Sequence, residues 1–110
     1  EKIEILLREV IADILLRDFP LPAGTMVTIT RATVSRDLFH ATIYISILAQ
    51  GPADERQTFE ELTRSAGSIQ FTLNRKLRMR PVPRITFAID QGEKRRERIE
   101  KILGEDRDDS

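Results

Sequence analysis

A two-layer α+β sandwich, with helices packed on one face of a three-stranded sheet, is the fold the chain predicts, and three observations lead there. Apolar residues recur every three or four positions in two stretches, residues 2–18 and 55–84, which marks amphipathic helices. Between them Phe39, Ala41, Ile43, Ile45 and Ile47 alternate strictly with polar residues, the signature of a strand with one covered face. A shorter alternation, Ile85, Phe87 and Ile89, follows the second helical stretch. Together these faces make one apolar system.

In the first helix Ile3, Leu6, Leu7, Val10, Ile11, Ile14 and Leu15 form a wide apolar stripe, with Glu4, Arg8, Asp13 and Arg17 off it or on its edge. Phe19-Pro20-Leu21-Pro22-Ala23-Gly24 ends it, because Pro20 lacks an amide donor and biases its predecessor toward extended backbone. Residues 26–34 read as a strand in which Val27 and Ile29 share one face while Ala32 and Val34 fall in the other register. A bulge near Thr30-Arg31 repairs that slip. Ser35-Arg36-Asp37 turns the chain into the second strand, with Phe39, Ala41, Ile43, Ile45 and Ile47 inward and His40, Thr42, Tyr44 and Ser46 outward. The pair is an antiparallel hairpin.

Gln50-Gly51-Pro52-Ala53-Asp54 breaks the sheet and leads to the long helical stretch. Phe59, Leu62, Ala66, Ile69, Leu73 and Leu77 are its core stripe. Gly67 sits within that stripe, where glycine costs about 0.8 to 1 kcal/mol relative to alanine, so a kink is expected at Ala66-Gly67. Pro81-Val82-Pro83 is expected to stop the helix before the third strand. Residues 93–103 offer Ile99, Ile102 and Leu103 as anchors for a short closing helix, and residues 105–110 are an acidic tail expected to be disordered. The expected organisation is one domain over residues 1–104 followed by that tail.

The 110 residues, 40% of them apolar, suffice for one core and not two. Eighteen basic and 18 acidic side chains cancel, so no global charge draws the chain to nucleic acid or membrane. With no Cys there are no disulfides, thiolate metal sites or thiol nucleophiles. No apolar span or signal-like segment is present, so the expectation is a soluble chain. The single histidine, His40, lies among alternating polar strand residues without a partner nucleophile, and the five glycines are scattered singly, so neither a triad nor a phosphate loop is available. Nothing implies a metal, a cofactor or an enzyme.

Phosphate recognition asks only for cations held together, with an apolar or aromatic surface beside them for single strands. From residue 62 to residue 89 there is no Asp or Glu, while Arg64, Arg75, Lys76, Arg78, Arg80 and Arg84 are all basic. At helical pitch Arg64, Ser68, Phe71, Arg75 and Arg78 face away from the stripe. Arginine pairs bidentately with phosphate, which suits such a patch to RNA. The alternative is an ordinary amphipathic helix whose arginines pair with acidic helices elsewhere and whose Phe71 tucks under the C-terminal segment.

At the level of strings, Val34-Ser35-Arg36-Asp37-Leu38 followed by Ala41-Thr42-Ile43-Tyr44-Ile45-Ser46-Ile47-Leu48 resembles the hairpin of bacterial ribosome-binding factor A. Ser65-Ala66-Gly67, then Leu73 and Lys76-Leu77-Arg78-Met79-Arg80-Pro81-Val82-Pro83 with the strand after them, resembles the same family, as does Arg98-Ile99 with Leu103. The resemblance covers nearly the whole chain. It implies a type II KH-like fold in which a helix-kink-helix at Ala66-Gly67 replaces the GxxG loop. It also implies a noncatalytic, monomeric assembly factor of the bacterial cytoplasm, or of an organelle matrix if a targeting segment has been trimmed. Such a factor binds small-subunit ribosomal RNA and assists late maturation of the small subunit, including processing of the RNA 5′ end, and growth in the cold. The loop 19–25 lacks the Asp-Pro-Arg element often found after the family's first helix.

The RNA-binding residues expected are therefore Arg64, Ser65, Ala66, Gly67, Ser68, Arg75, Lys76, Arg78 and Arg80, with Arg84 and Arg36 at the edges. Amide donors near Ser68, beside Ser65, are expected to assist. The competing expectation is a KH-like protein-interaction module that docks a partner through a sheet edge or the sheet face around Tyr44.

Overall fold

The computed structural model describes residues 2–92 together with Arg95 and Ile99. Its elements run α1 (Lys2–Asp18), β1 (Met26–Val34), β2 (His40–Leu48), α2 (Pro52–Arg64), α3 (Ala66–Lys76) and β3 (Arg84–Ile89). The strands are ordered β1-β2-β3. β1 pairs antiparallel with β2, and β3 pairs parallel with β2, so the sheet is mixed. This is the expected α+β sandwich. Of the closing helix expected over residues 93–103, all but Arg95 and Ile99 lie outside the described residues, as does the acidic tail.

The core is where the periodicities meet. Leu7, Ile11 and Ile14 of α1, Ile43 and Ile45 of β2, Leu62 of α2 and Leu73 of α3 are each at most 1% exposed. Burying a side chain of this size is worth about 1.5 to 3 kcal/mol before chain entropy is counted. Leu6, placed in the α1 stripe by spacing, is 43% exposed, because the buried face of α1 is the narrower set Leu7, Ile11, Ile14 and Leu15. The register slip in β1 appears between Ile29 and Arg31, leaving Thr30 as the extra residue. Thr30 uses its freedom: its Oγ1 donates to an Asp90 carboxylate oxygen at 2.6 Å, tying the edge strand to the residue after β3.

The hairpin turn is built by its own side chains. Ser35 Oγ donates to Asp37 Oδ1 at 2.6 Å, the same oxygen accepts the Phe39 N–H at 3.0 Å, and the His40 N–H donates to Ser35 Oγ at 3.1 Å. These bonds hold the Asp37 carboxyl below its ordinary pKa, the Ser35 hydroxyl contributing most and the Phe39 amide next. Leu38 takes a left-handed conformation, φ 65°, to close the turn. The pleat therefore begins at His40, and Phe39, expected inward, is 56% exposed.

Candidate nucleic-acid interface

Helices α2 and α3 are one amphipathic run interrupted at Ser65, whose φ of −86° and ψ of 0° lie between the helical and extended regions. The Ser65 N–H is shared between the carbonyls of Glu61 (3.0 Å) and Leu62 (3.1 Å), and the Ile69 N–H resumes the helical pattern on the Ser65 carbonyl at 3.0 Å. Leu62 and Ile69 are buried on either side of the break, so the bend keeps both helices on the core. The expected break thus falls immediately ahead of Ala66-Gly67, and Ser65, rather than Gly67, is its pivot. Gly67 stands exposed in the first turn of α3, outside the left-handed region, and a Cβ there would meet nothing within 4 Å. No contact with a described residue requires a glycine at this point. Its effect is to leave bare backbone at the surface.

The amide donors expected beside Ser65 are partly spent. The N–H groups at the α2 cap donate to the carbonyls of Glu61, Leu62 and Thr63. A depression of about 200 Å³ opens next to Ser65 and Ser68, but Asp18 lines it, and a carboxylate there opposes an anion.

The other end of α3 is different in character. Leu77 leaves the helix with φ −87° and ψ 136° and buries to 4% exposure, so the helix stops at Lys76, well before the prolines expected to end it. The demand of the core for Leu77 ends the helix, and Arg78 projects from a loop instead of a helix face. That loop is clamped by Gln70. Its Nε2 donates to the Pro83 carbonyl at 2.9 Å and to Asn74 Oδ1 at 3.0 Å, and its Oε1 accepts the Ile85 N–H at 2.8 Å. Binding a carbonyl and an N–H two residues apart is what a neighbouring strand would do, so one amide side chain satisfies the outer edge of β3. Sequence reasoning passed over Gln70; the signal was an amide, able to donate and accept, on the border of an apolar stripe. The Arg84 N–H donates to the Phe39 carbonyl at 2.8 Å, which joins the hairpin turn to the start of β3.

The predicted residues therefore form two groups, separated by roughly 15 Å, the rise of a ten-residue helical span. Arg64, Ser65, Ala66, Gly67 and Ser68 lie at the break. Arg75, Lys76, Arg78, Arg80 and Arg84 lie at the far end, and Arg36 joins them from the hairpin turn. Between the groups Phe71 is 63% exposed, with the Arg75 guanidinium carbon 5.8 Å from its ring centroid, so it is not tucked away. All seven cations are exposed, and none forms an ion pair with a described residue. Arg80 only donates to the neighbouring Met79 carbonyl at 2.8 Å. Arg17 does form an ion pair, with Asp13 one turn earlier on α1 at 2.9 Å. Among the described residues no cluster of His, Asp or Glu is placed to hold a metal, and no helix is long and apolar enough to cross a membrane.

Comparison with known proteins bears on this arrangement. The family model for ribosome-binding factor A matches residues 1–103. A ribosome-binding factor A of Alkalilimnicola ehrlichii is 40% identical over 97% of this chain and 82% of its own length, and that of Protochlamydia amoebophila is 37% identical over 94% and 79%. In fold, the crystal structure of ribosome-binding factor A from Thermus thermophilus superposes with a TM-score of 0.63 at 24% identity, covering 80% of this chain and 92% of that one. The solution structure of a Thermotoga maritima protein described as a putative ribosome-binding factor A gives 0.60 at 27% identity, covering 77% and 84%. With a match across the helix break, the arginine-proline loop and the hairpin alike, this chain belongs to the ribosome-binding factor A family.

Proposed function

We propose that the chain binds small-subunit ribosomal RNA through the cationic end of the sandwich and assists late maturation of the small subunit, including processing of the RNA 5′ end. The observation that carries this reading is the set of exposed basic residues on the end of α3, the loop after it and the hairpin turn, none in an ion pair with a described residue. Guanidinium groups left unneutralised at one end of a rigid core are ready for phosphate oxygens. Phe71, with Arg75 beside it, offers a surface on which an unstacked base can rest. Gly67 lets the RNA backbone approach the start of α3 without a side chain between them. Affinity is then dominated by the RNA backbone, with slight sequence readout. A relative of this fold from Thermus thermophilus has been fitted into a map of a complex with the 30S subunit, which supports the choice of partner. The protein acts as a noncatalytic monomer in the bacterial cytoplasm.

Sedimentation of the tagged chain with ribosomal particles tests this. Recovery with immature small subunits at low salt, abolished by ribonuclease, is the expected result. Comigration with a ribonuclease-resistant partner would instead favour protein docking, for which the apolar groove of about 550 Å³ between α1 and β1, lined by Leu16, Phe19 and Met26, is the available surface.

A further inference from the structure

The sheet has a second face, and its composition is uneven in a way the core does not require. Cross-strand partners share a face, and Ala32, Ala41, Ile43, Ile45, Ile85 and Phe87 are buried in the core. The pairs Arg31–Tyr44, Thr33–Thr42, His40–Arg84 and Thr42–Thr86 therefore lie on the opposite side. The strand positions of that side carry two arginines, the histidine, the tyrosine and a field of hydroxyls, and no Asp or Glu. Arg31, His40, Arg84 and Thr86 are exposed. Asp90 sits at the rim of this face and accepts a hydrogen bond from Thr30, and Glu4 of α1 lines a depression beside Arg31.

Two features point to a ligand of mixed chemistry. The Arg31 guanidinium carbon lies 4.1 Å from the centroid of the Tyr44 ring, so an exposed cationic plane is already stacked on an aromatic one. A guanidinium plane backed in this way accepts a nucleobase on its outer side. Arg84, at the start of β3, is about 16 Å away along the diagonal of the sheet, from strand spacing and rise per residue. It belongs both to this face and to the cationic end described above, so an RNA strand leaving that end passes directly onto the sheet.

We propose that the open sheet face is a second RNA contact, taking a short single-stranded segment whose base stacks on the Arg31–Tyr44 pair and whose phosphates meet Arg84. Its charge fits a polyanion, and the stacked planes fit unpaired bases, which a duplex does not offer. The inference takes its ligand class from the ribosomal RNA reading and shares Arg84 with it, but its stacking pair, Arg31 and Tyr44, is one that reading leaves idle.

Tyr44 is the sole tyrosine and the chain has no tryptophan, so ring signals of tyrosine report this face alone. Titrating a short single-stranded oligoadenylate into the whole chain, followed by the Tyr44 ring resonances, is the test. A saturable ring shift with the single strand and not with duplex RNA is expected, and it persists in Arg75→Glu/Arg78→Glu. Arg31→Ala and Tyr44→Leu each weaken oligonucleotide binding by about tenfold, whereas Tyr44→Phe retains it. A Tyr44 ring that stays unmoved in the native chain while α3 amides shift overturns the second contact and leaves the first intact. Shifts in neither place overturn both. Should Tyr44→Leu fail to fold, the native ring titration still decides.

Discussion

Gly67 and Asp37 are the residues at which local chemistry makes the sharpest demands. Glycine in a helical turn costs about 0.5 to 1 kcal/mol against alanine, and no described residue occupies the space a methyl would take. Gly67→Ala is therefore expected to raise the thermal midpoint by a few degrees while weakening RNA binding; thermal denaturation and an RNA titration on one preparation check both signs. Asp37 has its folded pKa lowered by the Ser35 hydroxyl and the Phe39 amide. The stability it contributes is present above the ordinary value of 3.8 and is lost as pH falls through the lowered folded value. Asp37→Ala should remove that acid-side dependence and loosen the hairpin turn, seen as faster amide exchange at Phe39. Sequence singled out Gly67 and named Asp37 only as part of the turn, and neither role was legible. The helix cost of glycine that flags Gly67 cannot tell a pivot from a residue two positions beyond it, and Phe39 continues the β2 alternation although Leu38, at positive φ, starts the pleat after it.

Elements were legible where one pattern decided them. The alternation of β2 and the stripes of α1 and α3 report burial on one side, which sequence carries directly. What escaped were the devices at sheet edges, because they join residues far apart in sequence through side-chain to backbone bonds. Glu4 of α1 accepts the Val34 N–H at 3.0 Å on the β1 edge, and Gln70 does the corresponding work on the β3 edge. Each blunts an edge that would otherwise invite strand pairing. Gln70 also fixes the arginine-bearing loop to α3. Gln70→Leu keeps the volume, leaves the Ile85 N–H without its acceptor, and should cost about 1 to 3 kcal/mol in denaturant unfolding. The amide of Ile85 should lose exchange protection at the same time. An unchanged unfolding midpoint would mean that water replaces the clamp.

At the scale of the whole molecule, the parallel placement of β3 beside β2 is what assembles the cationic end. It brings the start of β3, the loop before it and the hairpin turn to one end, so Arg36 joins arginines more than forty positions further along. That convergence depends on strand order, which no local pattern reveals; the alternation of residues 85–89 predicts a strand without saying which neighbour it chooses. The fold therefore emerged from the sequence more fully than the site, whose members were expected in one converging patch and stand as two groups. If roughly four to six phosphates meet the cationic end, the logarithm of the binding constant should fall against that of salt with a slope of about −3 to −5. The most direct measurement compares the native chain with Arg75→Glu/Arg78→Glu for binding to small-subunit particles and for thermal stability. Loss of binding with an unchanged melting temperature is the predicted result, since both side chains are exposed and neither is in an ion pair with a described residue. Undiminished binding, or unfolding in step with the loss, would contradict it.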